Sequence, residues 1–542
     1  MNALARSYAI ALAGLDGTPV EVQTHIGPGI VGTTLIGLPD ATLREAKERV
    51  RAALFSCGVP TLNRRITVNL SPADLPKTGS AFDLAIAVSL LVARGIVDPA
   101  IAQESVFAAE LGLDGSLQSV PGILPIALAA HHAGFPRIVV AASAAKEASL
   151  VEGIEVRACL HLGELIAVFQ PGICEEMRNG EGWDRVEELA RRGEEEGHDS
   201  DVMVRDPARH GSFLPQSEEE KDLADVRGQE DTIRALAIAA VGGHHTLLVG
   251  PPGVGKTMLA TRLQAALPDL DSRDALMVTA LRSLAGDTSS VEELAVRPPL
   301  EQPHHSATLP ALIGGGNPIR PGAISLAHAG VLVLDEAPEF QVRVLDALRQ
   351  PLEAGEVRLH RAHFRVTYPA RFQLVMTANP CPCGGESGPG ERMCRCTHVQ
   401  RERYWARLSG PLLDRLDLRL LVTRPHRQAI ATARPLDTAA VREQVEEGRR
   451  RADHRWREHP WRFNSQVPGR YLREMTELTP AHTRALERAI ESGALSLRGA
   501  DRVLRIAWSI ADMAGHAAPS AEDIAWAFHL RGEKEGFDDI YN

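Results

Sequence analysis

Aromatic residues, cysteines and long apolar runs are all scarce in this chain. Of its 542 residues only 4% are aromatic and seven are cysteine, too few for a disulfide framework at this length. A helix that crosses a bilayer needs about 20 mostly apolar residues, and the sequence contains no uninterrupted run of that length. We therefore expect a cytoplasmic protein without membrane spans, folded into about two to four domains.

The net charge of −11 is concentrated in one part of the sequence. Residues 175–225 hold 17 acidic and 7 basic residues, which leaves 53 acidic and 52 basic residues elsewhere. Residues 340–424 hold 14 Arg and 8 acidic residues. Global acidity therefore does not exclude binding to DNA, although the local excess of Arg is equally typical of solvated faces and nucleotide contacts.

A glycine-rich motif indicates a nucleotide site. Residues 250–257 read GPPGVGKT, a phosphate-binding loop whose glycines let backbone N–H groups turn toward phosphate oxygens. The apolar run Thr246–Val249 predicts a buried strand before the loop, and Met258–Leu267 predict a helix after it. The residues expected to bind ATP and its Mg²⁺ are Gly250, Pro251, Pro252, Gly253, Val254, Gly255, Lys256, Thr257 and Asp335, with Thr257 and Asp335 on the metal.

Two further strands end in polar side chains suited to hydrolysis. The run VLVL at 331–334 is followed by Asp335, placed to hold Mg²⁺, and Glu336, placed to orient and deprotonate the attacking water. A Glu at this position favours hydrolysis over storage of the nucleotide. The strand predicted at Phe372–Asn379 ends in an amide that can hold the same water.

Two arginines are candidates for contacts with the γ-phosphate. Arg415 follows a Gly-Pro turn in SGPLLDRLD, where it can act as an arginine finger toward a neighbouring subunit or form a surface salt bridge. Arg498 lies in the helical part of the sequence, from which it can contact phosphate. The predicted catalytic residues are Lys256, Glu336, Asn379, Arg415 and Arg498.

Four cysteines lie close together in the sequence as CPC and CRC. The residues between the two pairs are GGESGPGERM, which contain no core-forming side chains. Four thiolates on a tetrahedral Zn²⁺ would hold such a loop in place. The C-x-C spacing is tighter than the usual C-x₂₋₄-C, so free thiols and redox chemistry remain alternatives. The candidate zinc ligands are Cys381, Cys383, Cys394 and Cys396.

A predicted hairpin offers a candidate DNA contact. Residues 356–367 read EVRLHRAHFRVT and alternate between apolar and polar, with a tip at 360–363. Arg361 at this tip is the candidate for gripping a phosphate backbone. A structural hairpin with a solvated Arg is the equally weighted alternative.

The patterns divide the chain into four segments. Residues 1–174 mix strand and helix patterns, with a hairpin at Thr18–Thr24 and an apolar helix at Ala81–Gly95. Residues 175–222 are predicted to form an acidic flexible linker. Residues 223–424 form the α/β phosphate-loop module with its cysteine insert, and residues 425–542 a helical lid.

These motifs resemble the ComM/YifB family of magnesium-chelatase-like AAA+ ATPases. The resemblance is carried by GPPGVGKT, the run at 303–340, NPCPCG, CRC and SGPLLDRLDL, and it extends over nearly the whole chain outside the acidic segment. It implies that Lys256 and Thr257 are Walker A, Asp335 and Glu336 Walker B, Asn379 sensor 1, Arg415 the finger and Arg498 sensor 2.

The same resemblance implies a ring, typically a hexamer, that acts as a DNA helicase in branch migration during natural transformation. One departure lies at 297–305, where RPPLEQPHH stands in place of the family's RPFRAPHH. Glu301 and Gln302 there put a DNA or phosphate contact at this position in doubt. A chelatase-like motor that remodels a protein partner is the alternative function.

The amino-terminal segment resembles the α+β proteolytic domain of Lon-type proteases. Such a domain needs a Ser nucleophile and a Lys base, but the resemblance puts Ala81 and Leu124 at those two positions. Ser80 and Lys77 are near, yet a substitute dyad makes strict geometric demands. We expect a protease-like fold without the catalytic dyad, and regard an ATP-dependent protease as the weaker alternative.

Overall fold

The computed structural model describes residues 4–38, 40–60, 62–169, 222–286, 293–316, 318–360, 365–385, 394–425, 427–433, 436–475, 480–492 and 495–532. The acidic segment predicted at 175–222 lies outside these residues except for Asp222, and Arg361 lies outside them as well. Across the described ranges, none of the helices combines the length and apolarity needed to cross a bilayer.

A mixed seven-stranded sheet organises the amino-terminal part. The strands here are β1 (Ala5–Ala13), β2 (Asp16–Gly27), β3 (Gly32–Ile36), β4 (Arg65–Ser71), β5 (Ser105–Ala108), β6 (Glu110–Leu111), β7 (Leu117–Gln118), β8 (Arg137–Ala141) and β9 (Glu155–Cys159). The sheet order is β3-β4-β2-β1-β5-β8-β9, and β6 pairs with β7 separately. The predicted hairpin is confirmed, since β1 and β2 pair antiparallel.

Helices cover both faces of this sheet. They are α1 (Ala41–Ser56), α2 (Asp83–Ala93), α3 (Pro99–Gln103), α4 (Ile123–His132), α5 (Ala145–Ala148) and α6 (Leu162–Phe169). Successive side chains of a strand point to opposite faces, so Ile138 packs into the core beneath α4 and Val139 into the core that contains α2. The apolar helix predicted at Ala81–Gly95 is confirmed as α2, which ends before Gly95 at φ 74°.

A parallel five-stranded sheet follows. Nine strands lie in the described residues of this part of the chain, five of them in this sheet, while β12 pairs with β13 and β15 with β16 separately. They are β10 (Thr246–Val249), β11 (Leu300–Glu301), β12 (Gly314–Gly315), β13 (Arg320–Pro321), β14 (Val331–Leu334), β15 (Glu356–His360), β16 (Arg365–Pro369), β17 (Gln373–Ala378) and β18 (Leu418–Leu421). The sheet order is β11-β14-β17-β10-β18, and every neighbouring pair is parallel. All carboxyl ends therefore meet at one edge, where ligands bind in open α/β sheets.

This second sheet is buried on both faces, as parallel sheets are. Leu247 and Leu248 are both fully buried, each in a different core. The helices of this part are α7 (Glu230–Gly242), α8 (Lys256–Ala266), α9 (Ser272–Ala285), α10 (Leu309–Ile313), α11 (Ala323–Leu326), α12 (Val342–Asp346), α13 (Arg349–Ala354), α14 (His398–Trp405) and α15 (Gly410–Leu413).

The carboxyl-terminal part is helical, as its apolar periodicity predicts. Its helices are α16 (Arg427–Thr432), α17 (Thr438–Trp456), α18 (Gly469–Met475), α19 (Pro480–Glu491), α20 (Leu497–Ala514) and α21 (Ala521–Arg531). In α20 a stripe of apolar side chains that includes Val503, Ile506 and Ile510 is buried. The helix packs on α7, α17 and α21, so the sheet and the helical part share one core.

A buried carboxylate joins the amino-terminal part to the phosphate-loop part. Glu147 of α5 accepts hydrogen bonds from the backbone N–H of Leu124 at 2.7 Å and from Ser283 Oγ of α9 at 2.5 Å. Burial raises the pKa of Glu147, although these two hydrogen bonds oppose the rise. Ala280 of α9 also packs into the core around α4, so the two parts are in contact through polar and apolar groups.

Candidate nucleotide site

The phosphate loop lies between β10 and α8, as the sequence predicts. All four residues of β10 are buried, and α8 begins at Lys256. Gly253 and Gly255 adopt φ values of 78° and 91°, a conformation that side chains with a Cβ rarely take. The turn therefore needs glycine at both positions, and it aims the amino end of α8 at the space where phosphates would lie.

Strand register explains which side chains meet at the edge of the sheet. Val249 pairs with Ala378, so Asn379 follows β17 beside Gly250, the first residue after β10. Lys256 Nζ donates to Asn379 Oδ1 at 2.9 Å and to the Gly250 carbonyl at 2.7 Å. The ammonium group is thus held at the mouth of the loop by the same amide that the sequence predicts to hold water.

The carboxylate predicted to bind Mg²⁺ lies against the loop. Thr257 Oγ1 is 3.0 Å from both carboxylate oxygens of Asp335. Thr377 donates to Asp335 Oδ1 at 2.5 Å and accepts from the backbone N–H of Glu336 at 2.9 Å. A hydroxyl and a carboxylate supply the oxygen ligands that Mg²⁺ prefers, so these residues fit the metal.

Glu336 occupies an unusual backbone conformation. Its φ of 52° and ψ of 48° are left-handed, which a non-glycine residue adopts only where its surroundings compensate the strain. Compensation comes from Thr377, whose hydroxyl holds the Glu336 N–H. Strained backbone of this kind is concentrated at functional sites, and here it turns the chain sharply after β14.

Sequence reasoning missed two residues of this site. Thr377 connects Asp335 to Glu336, and the signal was a polar residue inside the otherwise apolar run LVMTA. Gln229 donates through Nε2 to the carbonyls of Val254 and Thr423, both at 3.1 Å. Nothing in the sequence around Gln229 indicates this role, since its partners are 25 and 194 positions away.

The four predicted cysteines converge. Their Sγ atoms all lie within 4.8 Å of one another, with Cys381 3.3 Å from Cys383 and 3.4 Å from Cys394. Tetrahedral zinc with Zn–S bonds of about 2.3 Å places neighbouring sulfurs about 3.8 Å apart. Backbone N–H groups of Arg395 and Gly385 lower the pKa of Cys383 to about 6, whereas burial raises the pKa of Cys381 and of Cys396. The donor set therefore fits zinc.

The cysteine cluster packs directly on the nucleotide site. A Cβ added to Gly384 would lie 2.5 Å from Pro252 Cγ, so only glycine allows the cluster to approach the phosphate loop this closely. On its other side, Trp405 Nε1 donates to the carbonyl of Pro380, and Tyr404 accepts from the backbone N–H of Asn379. Asn379 is therefore fixed between the loop, the cluster and α14.

Arg415, the predicted finger, lies at the other edge of the sheet from the phosphate loop of its own subunit. Leu418 pairs with Thr246, the first residue of β10, so Arg415 precedes the amino ends of the strands. The phosphate loop follows the opposite ends, four residues or about 13 Å along the strands. Arg415 forms an ion pair with Glu353, and Arg498 is exposed in the first turn of α20.

The hairpin predicted at 356–367 is confirmed as β15 and β16, which pair antiparallel. Its base is buried through Val357 and Val366. Arg361, the proposed DNA contact, lies outside the described residues, so its role remains a prediction. Glu301, the departure from the family pattern, pairs with Leu332 in the sheet, and burial raises its pKa.

Lys77 and Ser80, the weaker alternative as a protease dyad, have different partners. Lys77 is fully buried and donates to the carbonyl of Pro72, and Ser80 donates to Glu110. Burial lowers the pKa of Lys77, but the structure shows no hydrogen bond from this ammonium to the serine among the described contacts.

Comparison with known proteins gives the family. The family model described as "Magnesium chelatase, subunit ChlI" matches residues 222–430. Two further models of the same subunit match residues 21–144 and 436–531. The uncharacterized protein YifB of Escherichia coli is 39% identical over 93% of this chain and 92% of its own length. This chain belongs to the ComM/YifB magnesium-chelatase-like family. The competence protein ComM of Haemophilus influenzae is 38% identical over 94% of both chains.

Membership in the ComM/YifB family makes the chain an AAA+-type protein, and the parallel sheet with its phosphate loop agrees with that class. A partial match falls outside the family. Lon protease 2 of Bacillus subtilis is 29% identical over 150 residues, which is 27% of this chain and 27% of that protease.

Proposed function

We propose that this protein is one subunit of an ATP-hydrolysing hexameric ring that moves along DNA. Its work would be translocation or branch migration at recombination intermediates, as in natural transformation. One observation supports an ATP site that is shared between two neighbouring subunits. The phosphate loop and Asp335 lie at the carboxyl edge of the sheet, whereas Arg415 precedes its amino edge.

Within one subunit, the residues at the carboxyl edge would bind and activate the nucleotide. The N–H groups of the loop 250–255 would surround the phosphates, and Lys256 would contact the β and γ phosphates. Thr257 and Asp335 would hold Mg²⁺, which neutralises charge that develops on the phosphates. Glu336 would accept the proton of the attacking water, and Asn379 would orient that water.

The neighbouring subunit would complete the site. Arg415 cannot easily reach its own loop from the opposite edge, but a ring can bring that edge against the next subunit. Arg498 lies in the first turn of α20, and Arg502 one turn later lies near Asp414 and Asp417, which flank Arg415. Arg498 therefore lies on the side of α20 that faces the segment of Arg415. We propose that Arg498, as sensor 2, acts on the neighbouring subunit's nucleotide, as Arg415 does.

The cysteine cluster would hold one structural Zn²⁺. Four cysteine ligands close the coordination sphere, so the metal would fix the loop between the two C-x-C pairs and supply no open position for a reaction. Since Gly384 packs on Pro252, the zinc site would also support the phosphate loop from outside. Free reduced thiols are the alternative.

DNA is the proposed substrate of the motion. The family resemblance and the Arg-rich part of the chain at 340–424 support it, because clustered positive charge is what a phosphate backbone requires. The hairpin β15–β16, with Arg361 at its tip, would contact that backbone.

We propose four segments for the chain, with a Lon-like domain at 1–174, an acidic linker at 175–222, the ATPase core at 223–424 and the lid at 425–542. The partial match to Lon protease 2 supports the first. Because Lys77 and Ser80 bond to other partners, this domain would build the ring or guide DNA without proteolysis.

ATPase assays with and without DNA test the proposal. We expect single-stranded or branched DNA to raise the rate of hydrolysis by the purified protein, and Glu336→Gln to abolish it while retaining ATP-dependent binding to the DNA. Absence of stimulation by either DNA, together with absence of strand displacement, would contradict a DNA motor.

A second candidate is a motor that remodels a protein partner. The family descriptions that match this chain all name a subunit of magnesium chelatase, and a subunit acts together with other polypeptides. Stimulation of the ATPase by a protein partner, without any response to DNA, would identify this function. The arginine finger and the nucleotide residues would act as described above in either case.

A further inference from the structure

The segment that carries Arg415 is held by the helical lid through three separate contacts. Arg531 of α21, itself 4% exposed, donates to the carbonyl of Leu416 at 2.8 Å. Arg502 of α20 lies 3.6 Å from Asp414 and 3.7 Å from Asp417. Residues on both sides of Arg415 are thus bonded to two helices that follow it by about 90 to 115 positions.

The third contact is a buried chain of hydrogen bonds. His244 Nδ1 is 2.8 Å from Asp417 Oδ2, and His244 Nε2 is 2.8 Å from Ser509 Oγ on α20. His244 and Ser509 are fully buried and Asp417 is 5% exposed. Burial pushes the pKa of Asp417 upward, but the hydrogen bond and charge of His244, with the charge of Arg505, lower it to about 2. Asp417 therefore remains a carboxylate, able to hold both His244 and Arg502.

These three residues cannot form a hydrolytic triad, although a Ser, a His and an Asp are in line. Substrate would have no access to a fully buried Ser509, which also lies 3.1 Å from Asn464 Nδ2. A buried polar chain with every member bonded makes the structure rigid and specific instead. Here it fixes the end of α15 and the start of β18 to the middle of α20.

The helix α20 presents all of these groups along one side. Arg498, Arg502, Arg505 and Ser509 are spaced by four, three and four residues, which places them on one face of a helix. The first of them is the proposed sensor 2, and the next three lie near or bond to the Asp417 network. A rigid helix would therefore transmit any movement of the lid to the segment 414–417.

We propose that Arg502, Arg531 and the His244–Ser509 pair are positioning residues that hold Arg415 in the geometry needed to reach the neighbouring subunit's nucleotide. The lid would thus present the finger and sensor 2 together, as one unit. This inference rests on the proposed shared site. A displacement of a catalytic group by about 1 Å can lower the rate on the order of 100-fold, so small changes in this network should be measurable.

Subunit mixing tests the inference. Arg502→Ala should lower kcat about 10- to 100-fold while the Kd for ATP stays unchanged, because its own phosphate loop is intact. Arg502→Lys retains the charge opposite Asp414 and Asp417 and should restore at least half of the loss. Arg473→Ala is the matched control. Arg473 of α18 pairs with Asp501, the neighbour of Arg502 on α20, and not with the segment that carries Arg415.

Mixed rings separate a positioning role from a structural one. Glu336→Gln subunits cannot hydrolyse ATP but carry an intact finger, so adding them to Arg502→Ala subunits should raise ATPase activity several-fold above either alone. The mixture of Arg415→Ala with Glu336→Gln is the reference, and it should show the same recovery. Melting temperatures confirm that each variant folds.

The outcomes are distinct. If the reference mixture recovers activity and the Arg502→Ala mixture does not, Arg502 does not act through the finger and the inference is overturned. If the reference mixture itself fails, the shared site is wrong, and the inference fails with it. An Arg473→Ala variant as impaired as Arg502→Ala would also overturn it, since any damage to the lid would then suffice.

Discussion

Thr377 bridges the two carboxylate residues of the candidate site, since its hydroxyl donates to Asp335 at 2.5 Å and accepts from the Glu336 N–H at 2.9 Å. The hydroxyl satisfies a strained backbone and orients a metal ligand at once. A second buried strand threonine, Thr246, has an Oγ1 without a hydrogen-bond partner among the described residues. Substitution of Thr377 can therefore be compared with the same substitution of Thr246.

We predict that Thr377→Val weakens Mg²⁺ use and Thr246→Val does not. Loss of a buried hydrogen-bonded hydroxyl costs about 1–3 kcal/mol, so the Mg²⁺ concentration for half-maximal ATPase should rise about 5- to 150-fold. Thr246→Val removes an unsatisfied hydroxyl and should leave this value and the melting temperature nearly unchanged. Equal effects of both substitutions would exclude a special role for Thr377.

Lys256 and Glu336 should separate binding from hydrolysis. Lys256→Ala removes the charge that the loop holds, so we expect loss of ATP binding in a fluorescent-nucleotide titration. Glu336→Gln keeps the shape of the site and should bind ATP normally, while kcat falls about 10²- to 10⁴-fold. A Glu336→Gln variant with normal turnover would show that another group accepts the proton.

The ion pair of Arg415 gives a test of the shared site. Arg415→Ala should lower kcat about 10³-fold or more, the usual contribution of an arginine finger, without weakening ATP binding. Its partner Glu353 is largely exposed, and exposed ion pairs contribute little, so Glu353→Gln should keep activity within about two-fold. Loss of activity in Glu353→Gln alone would show that the ion pair itself is needed.

Metal removal should affect the phosphate loop as well as the cysteine cluster. We expect one zinc per chain by elemental analysis, and less than half of that in Cys394→Ser. Because Gly384 packs on Pro252, zinc loss should also weaken ATP binding. Cys57→Ala, at a buried cysteine of the amino-terminal part, should keep the zinc. Metal-free protein with normal ATP affinity would contradict the coupling.

Glu147 should make stability depend on pH. Its pKa is raised in the folded protein from an ordinary 4.5, so the folded state holds the proton more tightly than the unfolded chain. The resulting stability is present below pH 4.5 and is lost as the pH rises through the folded pKa. The Gln of Glu147→Gln does not titrate. The melting temperature of the variant minus that of the parent should therefore increase as the pH rises from 4.5 through the folded pKa. A constant difference would contradict the raised pKa.

Much of the local structure is predictable from the sequence. The strand at 246–249, the helix after the phosphate loop and the hairpin at 356–367 follow from short-range patterns, and each is confirmed. Such elements depend on residues within a few positions of one another. Gln229 and the Glu147–Ser283 contact were not predictable, because their partners lie 194 and 136 positions away.

The sequence by itself determined which groups this protein offers to a nucleotide, since the glycines, the lysine and the two carboxylates are all present in GPPGVGKT and VLVLDE. Only the tertiary structure decided how that chemistry is divided. Parallel strands put Asn379 and Asp335 at one edge of the sheet and Arg415 before the other. Strand order and direction arise from long-range pairing, which no local pattern encodes, and they give each subunit only part of the proposed catalytic set.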